Sequence, residues 1–127
     1  MTTTQVLLLI LGAFIIYTYV KKSLVNRSVK HYEPDEAAEK VKTSKNVILL
    51  DVRTAAERKQ QHIKGSFHIP LQEINTRANE LDKFKDKEII CYCRSGNRSV
   101  TAAAKLKKKG FNSANMRGGI IRWNFNR

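Results

Sequence analysis

Apolar positions in this chain gather in blocks, and the spacing inside each block indicates its conformation. From Val6 to Val20 almost every residue is apolar, and no charge precedes Lys21. With Thr2 to Gln5 counted, the run approaches the ~20 residues a helix needs to cross a bilayer core. Val47-Ile-Leu-Leu50 and Ile89-Ile-Cys-Tyr92 are short unbroken apolar runs of the kind found in parallel strands covered on both faces. Helical spacing follows Glu33-Pro34-Asp35, with Asp35 a candidate cap and Ala37, Ala38 and Val41 facing inward. It returns at Ile74, Ala78 and Leu81 within a predicted helix from Leu71 to Phe84. A third helix is predicted over Val100–Lys109, with Ser99 as its N-cap and Gly110 as its C-cap. Phe111 to Met116 then reads as a last strand, and Gly118-Gly119 as a tight turn. Ile120 to Phe125 reads as a closing helical turn that packs Trp123 in the core.

Strands and helices thus alternate, which predicts an α/β fold with a parallel sheet and helices on both faces. At 127 residues there is room for one such domain. The expected organisation is a transmembrane anchor over 1–20, a basic juxtamembrane connector over 21–31 and a folded domain over 32–127.

Charge sharpens the anchor reading. The 24 basic and 11 acidic residues give a formal net charge of +13, all of it after position 20. A cleaved signal peptide would carry basic residues before its apolar run and small residues at a cut site. Here the cations Lys21, Lys22, Arg27 and Lys30 follow the run, and Tyr17 and Tyr19 sit where interfacial aromatics belong. An uncleaved single-pass helix with the domain on the cytoplasmic side is therefore expected. Each connector cation near an anionic leaflet would contribute about 1 kcal/mol. Lys105 and Lys107–Lys109 lie on one predicted helix without interleaved aromatics, so nucleic acid is not an expected partner. Cys91 and Cys93 are too close along one strand to bridge without strain, which fits a reducing compartment.

The candidate chemistry lies where the strand through Tyr92 breaks at Cys93 into Arg94-Ser95-Gly96-Asn97-Arg98-Ser99. A thiol at a strand end, with loop N–H groups and a helix N-terminus behind it, sits in positive potential. That environment lowers its pKa and favours a bound anion. Arg94 and Arg98 add two charges to the same turn. Asp51 and Arg53 close the earlier strand, and in open α/β sheets ligands gather at such carboxyl ends. This pair reads as structural support for the loops. His62 reads as a backbone tether rather than a general base, and no Cys/His spacing fits a metal site.

Cys93-Arg-Ser-Gly-Asn-Arg98, preceded by Asp51-Val-Arg53 and followed by Gly118-Gly-Ile-Ile-Arg-Trp123, resembles the single-domain rhodanese (thiosulfate sulfurtransferase) family. The segment Glu57 to Pro70 matches the family at Glu57, His62, Ile63, Gly65, Ile69 and Pro70. It differs at Arg58, Gln61 and His68, where an aromatic, glycine and asparagine are usual. The resemblance implies about five parallel strands and no cofactor. It also implies a Cys93 nucleophile that takes sulfur from thiosulfate or a persulfide donor and passes it to a thiol or a protein acceptor. Arg94, Ser95, Gly96, Asn97, Arg98 and Ser99 would cradle the anionic donor, supported by Asp51 and Arg53. Two alternatives stand beside this reading: a phosphatase of related fold, and a non-catalytic binding or relay module at the membrane. Against the phosphatase, the Cys-x4-Arg loop here is one residue shorter than the Cys-x5-Arg of phosphatases resembling this fold.

Overall fold

A computed structural model describes residues 1–125. Five parallel strands form one sheet in the order β1-β5-β4-β2-β3: β1 (Lys30–Tyr32), β2 (Val47–Asp51), β3 (Phe67–His68), β4 (Glu88–Tyr92) and β5 (Asn112–Met116). The helices are α1 (Thr3–Ser28), α2 (Pro34–Thr43), α3 (Ala55–Gln60), α4 (Ile74–Arg77), α5 (Asn97–Lys108) and α6 (Gly119–Phe125).

Period-two alternation along the central strands builds two cores, one on each face. Ile48, Leu50, Val52, Ile89, Cys91 and Cys93 face a layer containing Ile74, Leu81, Ala102 and Leu106. Leu49, Ile90 and Tyr92 face the opposite layer with Ala37 and Ile120. Every residue of β4 is buried, as the unbroken apolar run requires. Polar residues in β5 keep partners: Ser113 donates to the Ala103 carbonyl at 2.6 Å, and Asn115 turns toward α5.

Several local expectations are corrected. The stretch from Leu71 to Phe84 is not one α-helix. The short α4 is flanked by 3₁₀ turns at Leu71–Glu73 and Ala78–Phe84. Ala78, Leu81 and Phe84 are all buried at a spacing of three, and only three residues per turn aligns them on one face. Helix α2 is capped at Glu33, whose N–H donates to Glu36, with Pro34 in its first turn; Asp35 lies inside the helix. Helix α5 begins at Asn97, so Ser99 lies within its first turn instead of capping it. Trp123 is half-buried against the α2/α6 layer.

The apolar N-terminal run forms a helix long and apolar enough to cross a membrane, judged by length and composition. It continues to Ser28, so most of the basic connector is also helical, and none of α1 is buried. Val29, immediately after it, enters the core at 5% exposure. Deleting residues 1–28 is therefore expected to leave a folded domain. Its urea midpoint should stay within about 0.5 M of the full-length chain in micelles, since no residue of α1 is buried and both the core and the surface exposed on unfolding barely change. A chain that is unfolded by circular dichroism after this truncation would contradict that placement.

Candidate functional site

Cys93 leaves the carboxyl end of β4, the middle strand of the sheet, and its side chain is 1% exposed. The chain reverses at Gly96, which adopts φ 104° and starts α5 directly. That turn aims backbone donors at the sulfur. The Gly96 N–H reaches Cys93 Sγ at 3.1 Å, and the Ser99 hydroxyl lies 3.3 Å from it. Burial opposes ionisation of this thiol, but the hydrogen bond shared with the Ser99 hydroxyl and those from the N–H groups of Ser99, Gly96 and Ser95 outweigh it. The Cys93 thiol is held below its ordinary value. Cys91, two residues earlier on the same face, meets only burial and the neighbouring Cys93, and its pKa is pushed well up. Cys93 is thus the more readily ionised of the two, and Cys91 is a packing residue.

The back of the loop is clamped by the paired glycines. Ile120 donates its N–H to the Cys93 carbonyl at 2.9 Å, and Ile121 donates to the Arg94 carbonyl at 3.3 Å. A side chain on Gly119 would meet the Arg94 and Cys93 carbonyl oxygens at 2.3 and 2.4 Å, well inside van der Waals contact. The double-glycine turn therefore exists so that α6 can approach the loop backbone.

Asp51 stands at the neighbouring strand end, fully buried. It accepts from the Arg53 N–H at 2.9 Å and from the Arg53 guanidinium at 3.0 and 2.8 Å, and it accepts from Arg58 at 3.3 Å. Arg53 also donates to the Gln61 carbonyl at 2.6 Å, and Arg58 to the Ser66 carbonyl at 2.8 Å. Arg58, Gln61 and His68, the departures from the family pattern, all belong to this frame. His68 Nε2 lies 2.7 Å from the Arg53 carbonyl. His62 Nδ1 lies 3.2 Å from the Arg58 carbonyl oxygen.

Arg98 does not point freely into the loop. Glu57 of α3 holds its guanidinium at both ends, at 2.7 and 2.8 Å. Glu57 is correspondingly acidic, lowered to about 2 chiefly by the Arg98 hydrogen bonds. This pair ties the end of the loop to α3 across 41 positions of sequence. Sequence spacing carried no signal for it. Arg94, Ser95 and Asn97 are exposed on the outer rim, while Gly96 and Ser99 are buried. A mouth of about 160 Å³ opens beside the loop between Ser95, Gly96, Asn97, Arg117, Asn26 and His31. A larger cleft of about 640 Å³ lies between α1 and α5 but takes no wall from β4. The residues that sequence reasoning missed here are Asn115 and His31, which continue the hydrogen bonding away from Ser99.

The Rhodanese-like domain family profile matches residues 33–126. A protein named Sulfurtransferase, from Allochromatium vinosum, is 35% identical over 96 residues, spanning 75% of this chain and 88% of its own length. The uncharacterized protein YqhL of Bacillus subtilis is 32% identical over 122 residues, 95% of this chain and 93% of its own. The crystal structure of a rhodanese-related protein from Thermoplasma volcanium superposes with a TM-score of 0.69 at 29% identity. That match covers 76% of this chain and 92% of the other.

The Glu57–Arg98 pair makes a pH-dependent prediction. A carboxyl whose folded pKa lies below its unfolded value stabilises the fold fully above the unfolded value and loses that contribution as pH falls through the folded one. For Glu57 the window runs from 4.5 down to about 2. Both side chains are about one-third exposed, at 33% and 28%, so screening holds the effect to about 1 kcal/mol. Glu57→Gln should lower stability by that amount at neutral pH, and its curve of stability against pH should be flatter than wild type across the same window. Parallel curves in denaturant titrations would contradict it.

Proposed function

This chain is a member of the Rhodanese-like domain family, and we propose that it is a membrane-anchored sulfurtransferase working through a persulfide on Cys93. The observation that carries the reading is the convergence of the Ser95, Gly96 and Ser99 N–H groups on one buried sulfur, with the Ser99 hydroxyl beside it. Such a nest stabilises a sulfur anion in both states the reaction needs, thiolate and persulfide.

In the proposed cycle the Cys93 thiolate attacks the outer sulfur of thiosulfate. The bond between that sulfur and sulfite breaks, sulfite departs with the electron pair, and Cys93 carries a persulfide anion. A thiophilic acceptor (a cellular thiol, a partner protein, or cyanide in an assay) then attacks the terminal sulfur and returns the thiolate. Charge balances in both steps, and no cofactor is required. Arg94 on the rim attracts the doubly charged donor by long-range attraction. The role of Arg98 is to hold the loop against Glu57, so its charge reaches the sulfur without a direct contact. Asp51 and Arg53 keep the neighbouring strand end rigid. The short Cys-x4-Arg spacing favours a single sulfur atom over a phosphoryl group, because N–H contacts of about 2.7–3.2 Å tolerate little change in loop radius.

The test is intact mass after incubation with thiosulfate. Wild type and Cys91→Ser should each gain one sulfur atom, Cys93→Ser none, and cyanide should remove it as thiocyanate. Aryl phosphates should be turned over negligibly. Phosphatase turnover that vanishes in Cys93→Ser, without persulfide formation, would establish the alternative chemistry. A folded, thiosulfate-inert wild type that nonetheless binds a partner would favour the relay module.

The anchor is part of the same proposal. Charge is absent before Lys21 and dense after it, an asymmetry that retains the basic side in the cytoplasm. Protease added to intact right-side-out cells is expected to spare the domain. Its digestion would reverse the orientation, and a mature chain beginning after Val20 would mean a signal peptide.

A further inference from the structure

An unbroken run of hydrogen bonds leads from the candidate nucleophile to a histidine at the foot of α1. Cys93 Sγ lies 3.3 Å from Ser99 Oγ. Ser99 Oγ bonds Asn115 Oδ1, Asn115 Nδ2 lies 3.1 Å from His31 Nδ1, and His31 Nε2 lies 2.7 Å from the Asn26 carbonyl oxygen. Ser99 and Asn115 are buried, and His31 is half-buried at the mouth.

The direction of every bond follows from its far end. A carbonyl oxygen only accepts, so His31 Nε2 carries a hydrogen. In a neutral ring Nδ1 is then bare and accepts from the Asn115 amide. The Asn115 oxygen consequently accepts the single hydrogen of the Ser99 hydroxyl. Ser99 then has nothing to donate to sulfur, so its oxygen accepts from the Cys93 S–H. This polarity serves a thiol and opposes a thiolate.

The reverse polarity needs one change at the far end. With a proton on Nδ1 as well as Nε2, His31 donates to both neighbours. Asn115, turned 180° about its last side-chain bond, accepts from Nδ1 through Oδ1 and donates through Nδ2 to Ser99 Oγ. The Ser99 hydrogen is then released to Cys93 Sγ. We propose that His31 is a positioning residue for Cys93: by taking a proton on Nδ1 it reverses the Asn115–Ser99 chain so that the hydroxyl donates to the sulfur anion. Overall one proton leaves Sγ and one joins Nδ1. Because a carboxamide does not conduct protons, the exchange runs through water at the mouth. The charged groups near His31 are few, and the arginines among them share a carboxylate. Arg117 lines the same mouth and is paired at 3.6 Å with Glu33, whose other oxygen is held by Arg122 at 2.9 Å. Lys30, the preceding residue, is turned away to Glu88, and α1, the loop and α5 contribute the uncharged Asn26, Ser95, Asn97 and Val100.

The inference deepens the sulfur-transfer reading, and alkylation separates the two, since it requires only that Cys93 be a thiolate and not that thiosulfate be the donor. The experiment uses the full-length chain in detergent micelles. Iodoacetamide modification of Cys93 is followed by mass from about pH 5 to about pH 10, the range in which protein thiols ionise. His31→Asn keeps a polar group toward Asn115 but cannot be protonated. It should raise the midpoint by about one unit, which is about tenfold slower alkylation below the midpoint, with the alkaline plateau unchanged. An unmoved midpoint, or a rate lowered equally at all pH, would overturn the proposal. Linkage is reciprocal, so a second readout does not depend on that variant folding. Removing the anion with Cys93→Ser should lower the midpoint at which the His31 ring titrates by NMR. The same His31 midpoint in wild type and Cys93→Ser would equally overturn it.

Discussion

A sulfur anion buried at the end of the central strand is stable only where donors converge on it, and that requirement organises the rest of the domain. Desolvation raises the cost of the charge. The loop meets it by turning at once through Gly96 into α5, so that backbone N–H groups left unpaired at a helix start face the sulfur. Everything next to this turn has to accept the shape of the loop around the sulfur. Gly119 lacks a side chain because the loop carbonyls occupy its space. Ser99 gives its hydroxyl to the site instead of capping the helix.

Sheet order explains how distant segments supply the supporting parts. With β4 in the middle, its carboxyl end is flanked by the ends of β2 and β5. β2 brings Asp51 and the arginines packed on it, a buried charge cluster whose donors satisfy both carboxylate oxygens. β5 brings Asn115, and the edge strand β1 beyond it brings His31 within reach. Glu57 reaches over from α3 to fix Arg98. The loop is thus held from three sides by groups that do not touch one another in sequence.

This pattern also shows what was legible in the chain beforehand. The apolar runs around Ile48 and Ile89 and the position of Cys93 at a strand end are local signals, and a parallel sheet of about five strands followed from them and from the resemblance to rhodaneses. The membrane-length helix was equally local. What stayed hidden was set by tertiary contact. A three-residue spacing in Ala78, Leu81 and Phe84 passes for helical periodicity until the core fixes its pitch. Ser99 looks like a cap because Ser residues usually are, and only the sulfur 3.3 Å away gives it another task. The Arg98–Glu57 pair joins residues 41 apart, and Asn115 meets His31 across 84. The family departures at Arg58, Gln61 and His68 looked like losses in sequence, and in space each supplies a bond to the Asp51–Arg53 frame or to the turn beside it.

The location of the mouth joins the two halves of the molecule. Asn26, in the last turns of α1, lines it together with Ser95 and Asn97 of the loop. Lys107 of α5 reaches the Ser28 carbonyl at 2.7 Å, fastening the helix end to the domain. In the membrane-anchored arrangement, donors and acceptors would therefore approach Cys93 past the basic foot of the anchor rather than from the far side of the domain. An anionic donor approaching there would be drawn by the basic residues around the opening, and salt would weaken that attraction over a Debye length of about 8–10 Å. Asn26 in that helix foot also accepts from His31, so the anchor's last turn is joined to the chain of bonds leading to the sulfur.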